Sequence, residues 1–280
     1  MPLLPGDLAP GDREVAARDW SDLRVQRIRE AADPDFEPAY QRLWEEFGER
    51  GEMETRAVIA QRLAWDPARP VAGAALAYEL LVLRRAGSPV AWRDHSAVVR
   101  CDARGRPLAG PIVVHLSHAL IEPEQRGKGL VAWLRALPLQ AARRCADAAG
   151  CASGTPIVLV AEMEPPDPAE PWRQARLRSY GRAGFRVVDP ASARYAQPDF
   201  RGREALAGAS PRPLPLVLVL RRVGREAETA IPAAELAAIV ESLYAVYGVH
   251  VLPAALEPLR ADAALWTRRE PEFRLLAPAA

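Results

Sequence analysis

The sequence predicts an α+β fold, a mixed and mostly antiparallel sheet flanked by helices, and three observations predict it. Apolar stretches at residues 78–85, 90–101 and 112–122 follow one another through short turns, as the strands of an antiparallel meander do. The last of them breaks into a glycine-flanked basic turn and passes into a segment whose Leu130, Trp133, Leu134, Leu137, Ala141 and Cys145 recur at helical spacing. Beyond that helix, a continuous β-branched run at 155–161 is followed by a helix-like segment and two further strand-like runs.

Taken in order, residues 1–20 are rich in proline, glycine and charge and read as a flexible N-terminal tail. Leu23, Val25 and Ile28 begin a first strand; residues 36–47 form a helix entered through Asp33, Pro34 and Asp35, and residues 58–65 a second. The meander turns at Ala86-Gly87-Ser88-Pro89 and again between Arg104 and Pro107. In the long helix Pro138 should produce a kink, because its nitrogen has no hydrogen to give the carbonyl of Leu134. A helix over 172–182 follows the proline-rich 164–171, and 185–188 and 214–223 supply the last strands. Residues 21–225 thus form the main domain, with 226–280 as a C-terminal helical extension. There Pro232 opens a helix whose Leu236, Ile239, Val240, Leu243 and Tyr247 line one face, and Gly248 ends it. That stripe reads as the helix's own core face, as a homodimer contact, or as a lid over a cleft.

Composition bounds the function classes. The chain has 280 residues, 49% hydrophobic, and a formal net charge of +1. Nothing in that balance argues for nucleic acid or an anionic membrane as partner. No run approaches the ~18 apolar residues of a spanning helix, and the first residues, Met1 to Asp7, have no basic stretch before an apolar one as a secretory signal would. Cys101, Cys145 and Cys151 lack metal-ligand spacing and fit reduced packing thiols in a cytoplasm, with no metal expected.

Chemistry concentrates at the basic turn. Lys128 is the only lysine of the chain, every other basic residue being arginine, and it lies in Ile121-Glu-Pro-Glu-Gln-Arg-Gly-Lys-Gly-Leu130. Gly127 and Gly129 let the backbone approach an anion and present N–H groups, the following helix adds partial positive charge, and Arg126 and Lys128 neutralise phosphate. The order Ile121, Pro123, Arg126, Gly127, Lys128, Gly129 resembles the acyl-CoA-binding motif of the GNAT superfamily of N-acyltransferases. Arg126 and Gly129 fit that pattern, whereas its final small position is held by the branched Val131. A second stretch, Arg178-Ser-Tyr180-Gly-Arg-Ala-Gly184-Phe185, resembles the family's helix, tyrosine, Gly-Phe and strand. The resemblance spans roughly residues 21–225.

The resemblance implies a GNAT-like domain that moves an acyl group, acetyl by default, from acyl-CoA to a small-molecule or peptide amine, with acetyl-CoA as co-substrate. Leu120, Ile121, Arg126, Gly127, Lys128, Gly129, Leu130 and Val131 would then hold the donor, the backbone N–H groups near Leu120 and Ile121 polarising the thioester carbonyl. An amine with a pKa near 10 must lose a proton before it attacks. His115 stands where the family often places its base, with Glu162 on the next strand, or water, as the alternatives. His118, three residues on, faces the other way on a regular strand unless a bulge intervenes. Tyr180 matches the tyrosine that in many relatives protonates the departing CoA thiolate, and it also suits simple packing. Glu45, Glu46, Glu49, Glu52 and Glu54, against Arg50, crowd the region that walls the acceptor site in the family, and read either as a solvated helix face or as an acidic field for a cationic acceptor. Val131 and the extension outside the resemblance motivate another reading, a non-catalytic acyl-CoA-binding or protein-interaction module. Transfer to a hydroxyl is a third.

Overall fold

The computed structural model describes residues 3–48, 50–199 and 210–278. After short helical turns at Pro5–Asp7 and Pro10–Asp12 come α1 (Arg13–Ala16), β1 (Leu23–Ile28), α2 (Phe36–Leu43), which widens into a π-type turn over Trp44–Gly48, and α3 (Arg56–Leu63). The meander is β2 (Ala74–Arg85), β3 (Ser88–Arg100) and β4 (Ile112–Ile121). Next come α4 (Leu130–Ala149), β5 (Ile157–Met163), α5 (Pro171–Arg182), β6 (Arg186–Val188) and a small ribbon of β7 (Ala196–Gln197) and β8 (Leu214–Pro215). The chain continues through β9 (Val217–Arg222), β10 (Ala230–Pro232), α6 (Ala233–Gly248), α7 (Pro253–Arg269) and β11 (Glu272–Leu276). Pro138 sits inside the single helix α4.

The nine-stranded sheet runs β1-β2-β3-β4-β5-β9-β6-β11-β10, mixed in direction, with the parallel β4–β5 pair amid antiparallel neighbours. Alternation along the strands sends one set of side chains to each face. Val114, Leu116, Leu159, Ala161 and Val219 meet α4 and α5 on one face. Val113, Val158, Val160, Leu218 and Leu220 meet α6 and α7 on the other, where Tyr78, Leu80, Val82 and Trp92 meet α2 and α3 farther along. The predicted strand over 214–223 is divided at Leu216, Leu214 and Pro215 pairing with the β7 ribbon while Val217 onward joins the main sheet.

Packing ties both outer segments of the chain to the central sheet and its helices. Residues 3–20 are a strap laid against α4 and α5, with Asp7, Ala9 and Asp12 at most 5% exposed. Asp12 pairs with Arg135 of α4 at 2.5 and 3.0 Å, Asp7 pairs with Arg143, and Arg221 donates to the carbonyls of Asp7 and Leu8. Local composition suggested a loose tail because the partners of those aspartates lie more than a hundred residues away. Residues 226–278 likewise join the main sheet, since β11 pairs with β6 through Leu275–Val188 and Leu276–Val187 and carries β10 with it. The stripe of α6 is spent on the same core, Leu236, Ile239, Val240, Leu243 and Tyr247 being at most 2% exposed. Of the three readings of that stripe, its burial matches the helix's own core face.

Candidate functional site

β4 and β5 pair from Ile112–Ile157 to His115–Val160 and then part. Beyond that rung a gap opens through the sheet between residues 116–121 and 161–163, and Ala119 is exposed although its strand is an inner one. On the opposite side β4 stays bonded to β3, where Glu122 N–H donates to Val90 O at 3.0 Å. Antiparallel alternation then turns the backbone N–H and C=O of Leu120 toward β3 and those of Ile121 and Ala119 toward the gap. Arg126 Nε confirms the direction of the Ile121 carbonyl by donating to it at 3.2 Å. Of the two amides expected near the thioester, that of Ile121 points to the gap and that of Leu120 to β3.

A bulge shifts the β3–β4 register between Arg93–Ala119 and His95–Leu116. The extra residue brings His118 onto the same face as His115, and both line a cavity of about 340 Å³ with Phe47, Glu162, Glu164 and Tyr247. Their surroundings differ. His118 Nδ1 meets Asp94 Oδ1 at 3.0 Å and its Nε2 meets the Glu52 carbonyl at 2.9 Å. Burial opposes its charge, but the Asp94 carboxylate outweighs burial and pushes the His118 pKa up to about 9. A ring already protonated, with both nitrogens donating, has no lone pair for an incoming proton.

His115 Nε2 lies 2.7 Å from Glu162 Oε2, and its Nδ1 has no hydrogen-bond partner among the described residues. Glu162 also accepts from the hydroxyls of Tyr247, at 2.6 Å, and Tyr195. Burial works against the Glu162 carboxylate, yet contact with His115 and the two tyrosine hydrogen bonds hold its pKa below the ordinary value. Glu162 is therefore held ionised, with its oxygens engaged by His115, Tyr195 and Tyr247. An Nε2–H donated to Glu162 leaves Nδ1 as the imidazole's free acceptor.

Tyr180 sits on the other face, with α5. Its oxygen accepts from Arg93 Nη2 at 3.1 Å, and the Phe185 ring stands edge-on 4.8 Å away. Burial would raise the Tyr180 pKa, but the Arg93 charge and hydrogen bond bring it below the usual phenol value. Leu116, Ala161 and Met163, the residues just past the last β4–β5 rung, share its apolar cluster.

The basic turn lies at the end of β4. Gly127 and Gly129 have φ of +74° and +94°, which requires glycine, and Gly129 caps α4. Arg126, Gly127 and Lys128 are exposed, Val131 is half-buried, and Leu120 and Leu130 are buried core residues. At Gly129 the strap intervenes: a Cβ there would strike Val15 Cγ1, with the Trp20 ring 3.4 Å off. Trp20 in turn stands edge-on to Trp133 of α4 at 5.8 Å.

The acidic stretch proves largely neutralised. Glu45 pairs with Arg42 at 3.8 Å, Glu46 with Arg50 at 3.3 Å and Glu54 with buried Arg62, while Glu49 lies outside the described residues. Glu52 remains at the cavity, its pKa raised by burial first and by Glu164 second.

Sequence reasoning missed Tyr195, Arg93 and the site role of Tyr247. For Tyr247 a signal existed, since a hydroxyl in an otherwise apolar stripe must find a buried polar partner.

Among the described residues no group of histidine, cysteine or carboxylate side chains is arranged to hold a metal, and no helix is long and apolar enough to cross a membrane. No protein-family profile and no curated protein matches the chain. Solved structures do. A putative acetyltransferase from Salmonella typhimurium, solved with its cofactor acetyl-CoA, is 21% identical over 74% of this chain and 97% of its own, with a TM-score of 0.33. An acyl-CoA N-acyltransferase from Pseudomonas aeruginosa is 20% identical over 71% of this chain and 98% of its own, at 0.35. A tandem GNAT protein from the clavulanic acid biosynthesis pathway is 18% identical over 68% of this chain and 52% of its own, at 0.37. At these identities and TM-scores the likenesses carry no weight for the chemistry, which rests on the chain's own side chains.

Proposed function

We propose that the chain is a GNAT-type N-acyltransferase that moves an acyl group, acetyl by default, from acyl-CoA to an amine. One observation carries the reading: His115 and Tyr180 stand on opposite faces of the sheet beside the gap between β4 and β5, with a phosphate-suited turn at the gap's end. In this reading the pyrophosphate lies at Gly127 and Lys128, and the thioester enters the gap, where the outward N–H of Ile121 polarises its carbonyl. The amine arrives through the cavity on the α6 face and gives its proton to His115 Nδ1 as nitrogen bonds to the acyl carbon. The C–S bond then breaks, its electron pair going to sulfur, and Tyr180 supplies the proton that makes a neutral thiol. Glu164 is paired with Arg176, and Arg50 and Arg173 also line the cavity, so Glu52, with no ion pair among the described residues, is the carboxylate that favours an acceptor carrying positive charge. The free thiols Cys101, Cys145 and Cys151 suit a cytoplasmic setting.

Val15 against Gly129, together with Val131, favours a second reading, a non-catalytic module in which the donor groove is closed by the chain itself. Thiol release during incubation of acetyl-CoA with a panel of amines and alcohols decides between them. Release that depends on an amine and on His115 supports the enzyme. Binding of acyl-CoA without release under any acceptor supports the module.

A further inference from the structure

We infer that Arg93 is a positioning residue for proton donation by Tyr180, holding the phenol oxygen so that its proton faces the gap and retaining the charge left there once the proton departs. The inference rests on the acyltransferase reading and adds to it a residue that neither sequence motif contains.

Among the described residues five arginines are at most 3% exposed: Arg62, Arg93, Arg135, Arg221 and Arg222. The other four each meet a carboxylate, Arg62 with Glu54, Arg135 with Asp12, Arg221 with Glu226 and Arg222 with Glu235. Arg93 has no ion pair among the described residues. Its Nη2 donates to Tyr180 at 3.1 Å, while Nε and Nη1 have no hydrogen-bond partner. A desolvated cation without an anion is costly to keep, and an anion formed only during the reaction would offset that cost at the moment it appears. The position of Arg93 identifies which anion. In register it faces Ala119, the exposed residue of β4 at the gap, and the group it touches is the phenol that loses a proton to the departing sulfur. Because Arg93 donates to the Tyr180 oxygen, the hydroxyl's own hydrogen must point elsewhere. In the step itself the thioester C–S bond breaks, sulfur takes the electron pair and the Tyr180 proton, and the phenolate stays paired with Arg93 until water reprotonates it.

Other charged groups also face Tyr180. Arg135 on α4 and Arg176 on α5 lower its pKa alongside Arg93, but each has its own carboxylate, Asp12 and Glu164. A purely structural role would have Arg93 tether α5 to the sheet.

The test compares Arg93→Met, Arg93→Lys, Tyr180→Phe and the double variant Arg93→Met with Tyr180→Phe. Arg93→Met is expected to lower kcat roughly tenfold with little change in the KM for acetyl-CoA. A catalytic acid must be protonated, so activity falls as pH rises through its pKa, and losing Arg93 raises that pKa and moves the basic limb to higher pH. Arg93→Lys should recover part of kcat, and in the Tyr180→Phe background Arg93→Met should cost nothing further. Ultraviolet titration gives a readout independent of turnover: the tyrosine absent from Tyr180→Phe ionises at lower pH in the wild type than in Arg93→Met. Independent, multiplying losses in the double variant, or a titration that ignores Arg93, overturn the inference while thiol release by the wild type still upholds the acyltransferase. Absence of thiol release by the wild type with every acceptor overturns both.

Discussion

His115 Nε2 and Glu162 Oε2 are 2.7 Å apart, reaching from the last backbone rung, His115–Val160, to the residue two beyond it on β5. The side-chain pair thus bridges β4 and β5 where the ladder ends, and it fixes which imidazole nitrogen is left for chemistry. His115→Ala should lower turnover on the order of a hundredfold, most at low pH where fewer acceptor amines are already neutral, and leave acyl-CoA binding nearly intact by calorimetry. Wild-type turnover in this variant would return His115 to packing.

Glu162→Gln keeps the shape and removes the charge, so its amide can meet His115 Nε2 as donor and displace the proton to Nδ1. Turnover should then fall by roughly tenfold or more, while Tyr247→Phe, which removes one of the hydrogen bonds to Glu162, should cost less. Steady-state kinetics that rank Tyr247→Phe as the more damaging change would contradict this order of roles.

His118 should make stability depend on pH. Its folded pKa, about 9, lies above the ~6.5 of an exposed imidazole, so its contribution is complete below that lower value and is lost as pH rises through the higher one. Denaturant unfolding of the wild type should weaken between those limits relative to His118→Gln. Parallel stability curves for the two proteins would refute the buried His118–Asp94 ion pair.

Asp12→Ala leaves Arg135 buried without its carboxylate. The expected loss is about 3 kcal/mol, measured by chemical denaturation. A loss near zero would mean that the strap contributes no more than a disordered tail.

Charge at the acceptor cavity gives a further test. Glu45 and Glu46 are already paired with arginines, so Glu45→Gln should leave the rate with a polyamine unchanged. Glu52→Gln at the cavity should lower it, with little effect on a neutral amine. The reverse ranking would place the acceptor elsewhere.

Most of the sheet was legible because β2, β3, β4 and β5 announce themselves as apolar runs bounded by turns, and the glycines of the basic turn carry their φ requirement in their identity. His115 and Glu162 were each named singly as candidates, but their pairing follows from strand register, which no local pattern reports. Long-range charge explains the other misses. Asp12 and Asp7 look like solvated tail residues until Arg135 and Arg143 are placed beside them, and Arg93 looks like an ordinary polar residue of a strand until its lack of a carboxylate is seen. The strand β11 was hidden for another reason: Phe273 and Leu275 alternate correctly, but five residues among charges are too few to stand out.

The gap between β4 and β5 divides the proton traffic of the proposed reaction. The nitrogen that receives a proton, His115 Nδ1, belongs to the α6 face, and the hydroxyl that gives one, Tyr180, belongs to the α5 face. The proton removed from the amine is therefore not the proton delivered to sulfur. In that reaction each cycle would leave one surplus proton on one side of the sheet and one deficit on the other, and bulk water would reset both, so the two faces would recharge independently before the next amine arrives.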